Sequence, residues 1–122
     1  MATFTKTLLS GSTQGKAIKI AATTSGSAGT TIHATGTSAS IQDEVWLYAY
    51  NSAATATVLT IQWGGVTAVD NEIKLSIPAT SGLTLVIPGF ILTGTGSAAN
   101  TIAAYAATTN VITVTGYVNR IA

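Results

Sequence analysis

The sequence predicts an all-β protein: a single-domain β-sandwich, jelly-roll-like, with eight or nine short antiparallel strands. Apolar and polar residues alternate with a period of two in several segments, and no segment carries a sustained apolar stripe of helical period. Turn-forming residues recur about every 8 to 12 residues, as in sandwiches and barrels. Threonine, which is β-branched and uncharged, supplies 23 of the 122 residues. A small barrel is the alternative architecture.

The strand signal is strongest in four segments. Each combines β-branched or aromatic residues with alternation, and they are Asp43 to Tyr50, Thr55 to Trp63, Glu72 to Ile77 and Val111 to Val118. In the third segment apolar residues alternate strictly with charged or hydroxyl residues, which predicts one buried and one solvated face. Gly116, inside the fourth segment, predicts a bulge or a close backbone approach.

Weaker strand patterns fill the intervals between these segments. They are Thr3 to Leu9, Lys16 to Ala22, Leu83 to Ile87, Phe90 to Thr93 and Thr101 to Ala106. Pro88-Gly89 predicts a turn between two of them. The Gly-, Ser- and Thr-rich segment Thr23 to Ser40 is either a long surface loop or two edge strands around Ile32. Without a linker or an internal repeat, residues 1–122 are expected to form one domain.

The sequence offers little for catalysis, and we expect no enzyme, no cofactor and no metal site. The chain has no cysteine, which excludes a thiol nucleophile, a disulfide and a thiolate zinc site. His33, the single histidine, has no carboxylate within nine residues and is interpreted as an exposed or hydrogen-bonded loop residue. Asp43 and Glu44 are adjacent in a strand and should point to opposite faces, so they cannot act on one substrate.

The chain carries very little charge. Five Lys or Arg and four Asp or Glu side chains give a formal net charge of +1 and a charged fraction of 7%, against about 25% in ordinary domains. Five scattered cations give no footprint for nucleic acid. Residues 75–119 are uncharged, but Pro and Gly interrupt them, so no membrane span is expected. The first residues lack the pattern of a signal peptide, which predicts synthesis in the cytoplasm. Neutral, Thr-rich strand surfaces predict burial in an assembly.

Two groups of residues are candidates for an interface. Residues 1–9 are either an N-terminal arm that adds a strand to a neighbour through Phe4, Leu8 and Leu9, or the first strand of the chain's own sheet. The second group shares large aromatic rings near strand residues: Trp46, Tyr48, Tyr50 and Trp63. Such rings belong either to a core within or between subunits, or to a platform for a protein or a sugar.

Several strand-and-turn segments together suggest a family. They are Asp43-Glu44-Val45-Trp46-Leu47-Tyr48, Leu59 through Gly65, Ile77-Pro78 through Pro88-Gly89, and Asn110 through Arg120. From about Leu8 to the C-terminus the layout resembles small virion structural proteins of tailed bacteriophages, of the capsid decoration or cement type.

The resemblance implies a non-enzymatic homotrimer on the virion surface. Such a protein binds the major capsid protein on the outer shell and stabilises the shell against internal DNA pressure. The alternatives are a tail, baseplate or fibre component of the virion, and a carbohydrate-binding β-sandwich that uses the Trp and Tyr face.

Overall fold

The computed structural model describes residues 2–80 and 82–122, and these form an all-β fold of nine antiparallel strands in two sheets. Met1, in the predicted arm, and Ser81 lie outside the described residues. No helix within the described ranges is long and apolar enough to cross a membrane. In chain order the strands are β1 (Phe4–Leu8), β2 (Ile18–Lys19), β3 (Thr30–Ala34), β4 (Gln42–Asn51), β5 (Thr57–Trp63), β6 (Glu72–Ile77), β7 (Thr84–Thr93), β8 (Thr101–Ala106) and β9 (Ile112–Ile121).

The two sheets have a jelly-roll-like strand order. Sheet A has the order β1-β9-β4-β7, with the short β2 also paired to β9, and sheet B has the order β3-β8-β5-β6. From β2 onward the chain changes sheet at every connection except the β5–β6 hairpin. A five-stranded and a four-stranded antiparallel sheet linked in this way make up a jelly-roll-like sandwich, which confirms the predicted fold class.

The core lies between the two sheets and follows the period-two alternation of the strands. On β4, Val45, Leu47 and Ala49 are fully buried, and on β5 so are Leu59 and Ile61. Buried residues of both sheets belong to one hydrophobic cluster within the described chain. The alternation predicted for residues 43–50 is confirmed. In residues 72–77 it holds from Lys74 to Ile77, whereas Glu72 and Ile73 are both half-buried.

Strand β7 corrects the prediction of two strands separated by a turn. Pro88-Gly89 lies within one continuous strand, where the register with β4 shifts twice, and Gly89 has a φ of 84°. Because β7 is at the edge of sheet A, one side of its backbone has no partner strand, which is where a proline is tolerated. Pro88-Gly89 therefore makes an edge strand irregular and does not form a turn between two strands.

Gly116 meets the expectation of a close backbone approach. It pairs with Leu47 across the ladder between β9 and β4. A Cβ atom at this position would collide with the carbonyl oxygen of Trp46. Glycine is therefore the residue that lets the two central strands of sheet A approach each other here.

Of the two alternatives for residues 1–9, the arm that adds a strand to a neighbour is wrong and the first strand of the chain's own sheet is confirmed, because β1 pairs with β9. The register runs from Phe4 opposite Ile121 to Leu8 opposite Tyr117. Leu9 is also wrong as an interface candidate, since its side chain is only 2% exposed and belongs to the core. Its neighbour Leu8 faces outward, so the next side chain along the extended chain turns inward.

The segment from Thr23 to Ser40 is not one long loop, because it contains the edge strand β3. The register of β3 with β8 shifts between Thr31 and His33, and this bulge leaves both Ile32 and His33 buried. His33 is therefore a strand residue. Ahead of β3, residues 23–29 lie against the outer side of sheet B, where the backbone of Gly29 hydrogen-bonds Gln62 of β5.

Candidate interaction surface

The aromatic residues of β4 lie on the outer side of sheet A and not in the core between the sheets. Val45, Leu47 and Ala49 point inward, so the alternation turns Trp46, Tyr48 and Tyr50 outward, where each is half-buried. The interpretation of these three rings as the core of the single chain is therefore wrong. An intersubunit contact and a binding platform remain as their possible roles.

Residues from the neighbouring strands extend this aromatic strip into a broad surface. Reading outward positions across the ladders gives five rows, which we call the outer face of sheet A. The rows are Phe4, Ile121, Gln42 and Thr93; Lys6, Asn119, Glu44 and Ile91; Leu8, Tyr117, Trp46 and Pro88; Thr115, Tyr48 and Leu85; and Lys19, Thr113 and Tyr50.

Large apolar side chains are strongly exposed on this face. Phe4 is 71% exposed, Leu8 53%, Ile91 51% and Leu85 45%. Phe4 and Leu8, which the sequence predicted as interface residues, thus share a surface with Trp46, Tyr48 and Tyr50. Soluble monomers rarely leave such residues contiguous over more than a few hundred Å², so the surface is the main candidate for binding.

Trp46 forms the centre of the outer face of sheet A and is held from several sides. Its ring stacks with that of Tyr117, with centroids 6.3 Å apart and planes 14° from parallel. The ring also covers Gly89, where a Cβ atom would lie 2.8 Å from Cζ2 of the tryptophan. The indole Nε1 donates a hydrogen bond to Oε1 of Glu44 at 2.8 Å. These contacts fix the ring in one orientation before any partner binds.

The two charges nearest to Trp46 are already engaged within the chain. Glu44 Oε1 accepts hydrogen bonds from Trp46 and from Asn119 Nδ2, the latter at 3.0 Å. These bonds, first that of Trp46 and then that of Asn119, lower the pKa of Glu44 below its ordinary value. The Nζ atom of Lys6 lies 4.8 Å from the centroid of the Tyr117 ring, within cation–π range. The face therefore holds its charges in defined positions.

Trp63 does not belong to this surface. It lies at the end of β5 on the same side as Leu59 and Ile61, packed against the edge of the core. Its ring meets Phe90 of β7 edge to face, with centroids 6.1 Å apart and planes 88° from parallel. Trp63 therefore closes one margin of the sandwich, and the structure does not place it with the other predicted interface residues.

A buried polar cluster lies at one end of the sandwich, where His33 of β3 meets Asp43 of β4. Nε2 of His33 is 2.7 Å from Oδ2 of Asp43, and both side chains are 1% exposed. Arg120 of β9 binds the same carboxylate in a bidentate manner, with Nε to Oδ1 at 2.7 Å and Nη2 to Oδ2 at 2.8 Å. Sequence proximity could not reveal this cluster, because Arg120 is 77 residues from Asp43.

The geometry of the cluster is structural and unsuited to acid–base catalysis. The backbone N–H of Ser10 donates to Nδ1 of His33 at 3.0 Å, so Nδ1 carries no hydrogen and Nε2 donates to Asp43. With both ring nitrogens occupied and the ring buried, His33 has no position for a substrate. The cluster instead joins β3 of sheet B to β4 and β9 of sheet A.

The carboxyl group of Asp43 is kept ionised by its partners. Burial alone would raise the pKa of Asp43, but the hydrogen bonds from Arg120 and His33 outweigh it, and the pKa lies below its ordinary value. The same bond to Asp43 raises the pKa of Arg120. The cluster is thus an ion pair of Asp43 and Arg120 with the imidazole of His33 hydrogen-bonded beside it.

Part of the outer side of sheet B, in contrast, is covered by the chain itself, around Gln62 and Glu72. Gln62 is 1% exposed, its Oε1 accepts from Gly29 N at 2.8 Å, and its Nε2 donates to Ser27 O at 2.8 Å. Glu72 Oε2 accepts from Tyr105 Oη at 2.7 Å and from Ser25 Oγ at 3.2 Å. Residues 23–29 are therefore a covering segment that supplies polar partners to this side.

A cleft of about 220 Å³ opens beside the covering segment. It is lined mainly by small residues and by Gln62 and Asn100. The amide of Gln62 is bonded at both ends, and Nδ2 of Asn100 donates to Thr93 O at 2.8 Å. Its polar side chains therefore serve the fold. Within the described ranges, no group of three or more His, Cys, Asp or Glu side chains is arranged to hold a metal ion.

Comparison with known proteins adds no assignment: no protein-family model, curated protein or solved structure matches this chain. Sequence reasoning identified Phe4, Leu8, Trp46, Tyr48 and Tyr50 of the candidate surface. It missed members such as Tyr117, Leu85 and Ile91, which join the surface through strand pairing between distant segments.

Proposed function

We propose that this chain is a non-enzymatic structural protein of a virion, a capsid decoration protein that binds the outer shell as an oligomer. The observation that supports this proposal is the outer face of sheet A. It is a broad surface with strongly exposed apolar residues on a chain with 7% charged residues. A surface of this kind is expected to be covered by protein in its working state.

The proposed mechanism is mechanical. A decoration protein attached to neighbouring capsid subunits adds interfaces that must be broken before the shell opens. A standard interface of about 800 Å² per partner suffices for each contact, and oligomerisation multiplies the effect through avidity. The antiparallel sheets, whose central strands β4 and β9 pair over ten residues, provide a stiff body for transmitting the load.

The direct test uses shells assembled from a major capsid protein encoded in the same genome as this chain. Purified chain added to these shells should co-sediment with them and saturate at a fixed number of copies. Decorated heads should also release their DNA at a higher temperature than bare heads. A chain that stays in the supernatant, or a genome without a capsid gene, contradicts the proposal. Recovery with tails would place the chain in a tail, baseplate or fibre instead.

A carbohydrate-binding role is the second candidate, favoured by the ordered Trp46–Tyr117 pair on the outer face of sheet A. Aromatic rings fixed at a surface are platforms on which sugar rings can stack. Glycan-array binding that is lost in Trp46→Ala and retained in Trp46→Phe would support this role. The absence of binding to any glycan by the wild-type chain would contradict it.

A further inference from the structure

We infer that the outer face of sheet A pairs with the same face of a second copy of this chain, around a two-fold axis close to β9. This inference deepens the proposed function, because it assigns the surface that joins copies of the chain, and it rests on that function for its biological purpose.

The register makes the face self-complementary about β9. This strand lies between β1 or β2 on one side and β4 on the other, so a two-fold axis along it places β1 and β2 of each copy opposite β4 of the other. Each outward residue of β9 then faces its own copy. Because twisted sheets pack about 30° apart, the axis runs within about 15° of β9.

The charges on the face match under this operation. Lys6, Asn119 and Glu44 occupy one row, with Asn119 on the axial strand between the two charged residues. Rotation therefore places Lys6 of one copy opposite Glu44 of the second copy, and the reverse pair forms at the same time. In the row of Tyr50, Lys19 comes to lie opposite that ring. A face carrying two cations and one anion thus pairs without placing like charges together.

The apolar rows match as well. Leu8 and Trp46 flank Tyr117 in one row, so the exposed leucine of each copy meets the tryptophan of the other. This contact would cover Leu8, which is 53% exposed in the single chain. The ring of Trp46, already held by Tyr117 and Gly89, would lose little conformational freedom on binding.

The face is large enough for a stable pair. Three strand positions about 4.8 Å apart, those of β1 or β2, β9 and β4, face a strand of the second copy. Over five rows about 6.7 Å apart they outline roughly 480 Å² before side-chain relief is counted. A standard interface buries about 800 Å² of accessible surface on each partner, measured over that relief. All three strand positions are therefore needed, which favours an aligned copy over a partner that covers one corner, and β7 lies beyond the edge of the second copy.

Charge reversal tests the pairing on the full chain, by sedimentation velocity over a range of concentrations. The wild-type chain should form dimers. Lys6→Glu and Glu44→Lys should each weaken association roughly a hundredfold, because each places like charges opposite one another twice per dimer. The double variant restores opposite charges and should recover most of the affinity. Lys16→Glu, a reversal of an exposed cation outside the face, is the matched control and should leave association unchanged.

Glu44→Lys also removes an acceptor from Trp46 and Asn119, so thermal unfolding of every variant is measured alongside. If this variant does not fold, Glu44→Gln keeps an oxygen acceptor and loses the charge. It should weaken association roughly tenfold.

Cross-linking tests the axis. The chain has no cysteine, so Thr115→Cys on β9 introduces a single thiol that should face its own copy. Packed sheets lie about 10 Å apart, beyond the roughly 6 Å that a disulfide spans between Cα atoms, so a short bis-maleimide is the suitable reagent. Ser76→Cys, exposed on the outer side of sheet B, is the control and should not cross-link efficiently.

The outcomes separate this pairing from the proposed function. A wild-type monomer or trimer, a double variant no better than the single variants, or equal cross-linking at positions 115 and 76 overturns the pairing. If such a chain still binds capsids, the decoration role stands. A dimer with the expected charge dependence that ignores capsids supports the pairing and contradicts the decoration role.

Discussion

The outer sides of the two sheets differ in what covers them. On sheet B, residues 23–29 hydrogen-bond the side chains of Gln62 and Glu72. Gln62 and Tyr105 are buried on this side. On sheet A, the described chain supplies no such segment. Trp46, Tyr48 and Tyr50 stay half-exposed there, and Phe4 is 71% exposed.

A polar outer face can be covered by a polar segment of the same chain, whereas an apolar outer face needs an apolar partner surface. The covering segment of sheet B is rich in Gly, Ser and Thr, and its backbone and hydroxyl groups satisfy the amide of Gln62 and the carboxylate of Glu72. Sheet A presents rings and aliphatic side chains, which need an apolar partner surface. Folding therefore covers the part of sheet B around Gln62 and Glu72, and the proposed assembly would cover sheet A.

The largest loss of folding stability is expected from a change in the buried polar cluster of His33, Asp43 and Arg120, which joins the two sheets. Asp43→Asn removes the charge that holds Arg120 and should lower the free energy of unfolding by roughly 3 kcal/mol, the lower end for a broken buried pair. The lower end applies because the side chain of Arg120 is 34% exposed and can turn to solvent. Asp70→Asn, in an exposed turn, is the control and should change it by less than about 0.5 kcal/mol. Equal effects of both changes in urea unfolding would contradict a role for the cluster.

Lowering the pH should also remove the stabilisation that ionised Asp43 gives to the folded chain. The pKa of Asp43 in the folded chain lies below its ordinary value of about 4, so the unfolded chain binds the proton more readily. The stabilisation is complete above pH 4 or so and is lost as pH falls through the lowered pKa of the folded state. Glu44 has a pKa shift of the same direction, so unfolding temperatures of wild type and Asp43→Asn are compared. Below about pH 4 the unfolding temperature of Asp43→Asn should fall less steeply with pH than that of the wild type. Equal slopes for the two proteins would contradict the prediction.

An intermediate effect is expected when the covering of sheet B is loosened. Gln62→Ala leaves the backbone N–H of Gly29 and the carbonyl of Ser27 without their partner, at a cost of roughly 2 kcal/mol. Proteolysis within residues 23–29 should become faster in the native state, because the segment loses its tie to β5. Gln42→Ala, exposed on sheet A, is the matched control for chemical unfolding. Unchanged proteolysis of the Gln62 variant would show that other contacts hold the segment.

The smallest effect on folding should come from the outer face of sheet A. Tyr48→Ser removes an outward ring and should change the free energy of unfolding by less than about 1 kcal/mol. Association measured by sedimentation should nevertheless weaken, since the lost area belongs to the proposed interface. A variant as unstable as Asp43→Asn would mean that the ring serves the fold of the single chain, and the contrast between the two faces would fail.

Much of the fold could be predicted from local patterns. The strand from Thr101 to Ala106 was predicted at its observed bounds, and strict alternation divided β4 into its two faces without showing which one faces the core. Alternation also predicted that Asp43 and Glu44 point to opposite faces, as observed. These predictions succeed because a strand's two faces depend on neighbours in sequence alone.

Other features required pairing information that alternation does not contain. Leu9 and Trp63 looked like Leu8 and Trp46 in the sequence, yet the structure buries the first against the core and closes the sandwich margin with the second. Pro88-Gly89 was predicted to be a turn because the sequence does not show that the strand containing it lies at the edge of sheet A. Each error concerns where a residue stands relative to a strand distant in the chain.

Period-two chemistry along the backbone was enough to predict the all-β class, the positions of most strands and the division of β4 into two faces. Other features depend on how the two sheets pack. Arg120 and His33 meet at Asp43, and residues 23–29 cover part of sheet B. Leu8, Tyr117 and Trp46 lie side by side in one row on the outer face of sheet A. The physical reason is that these contacts join segments far apart in the chain, and their partners are selected by the packing of two sheets rather than by any local pattern.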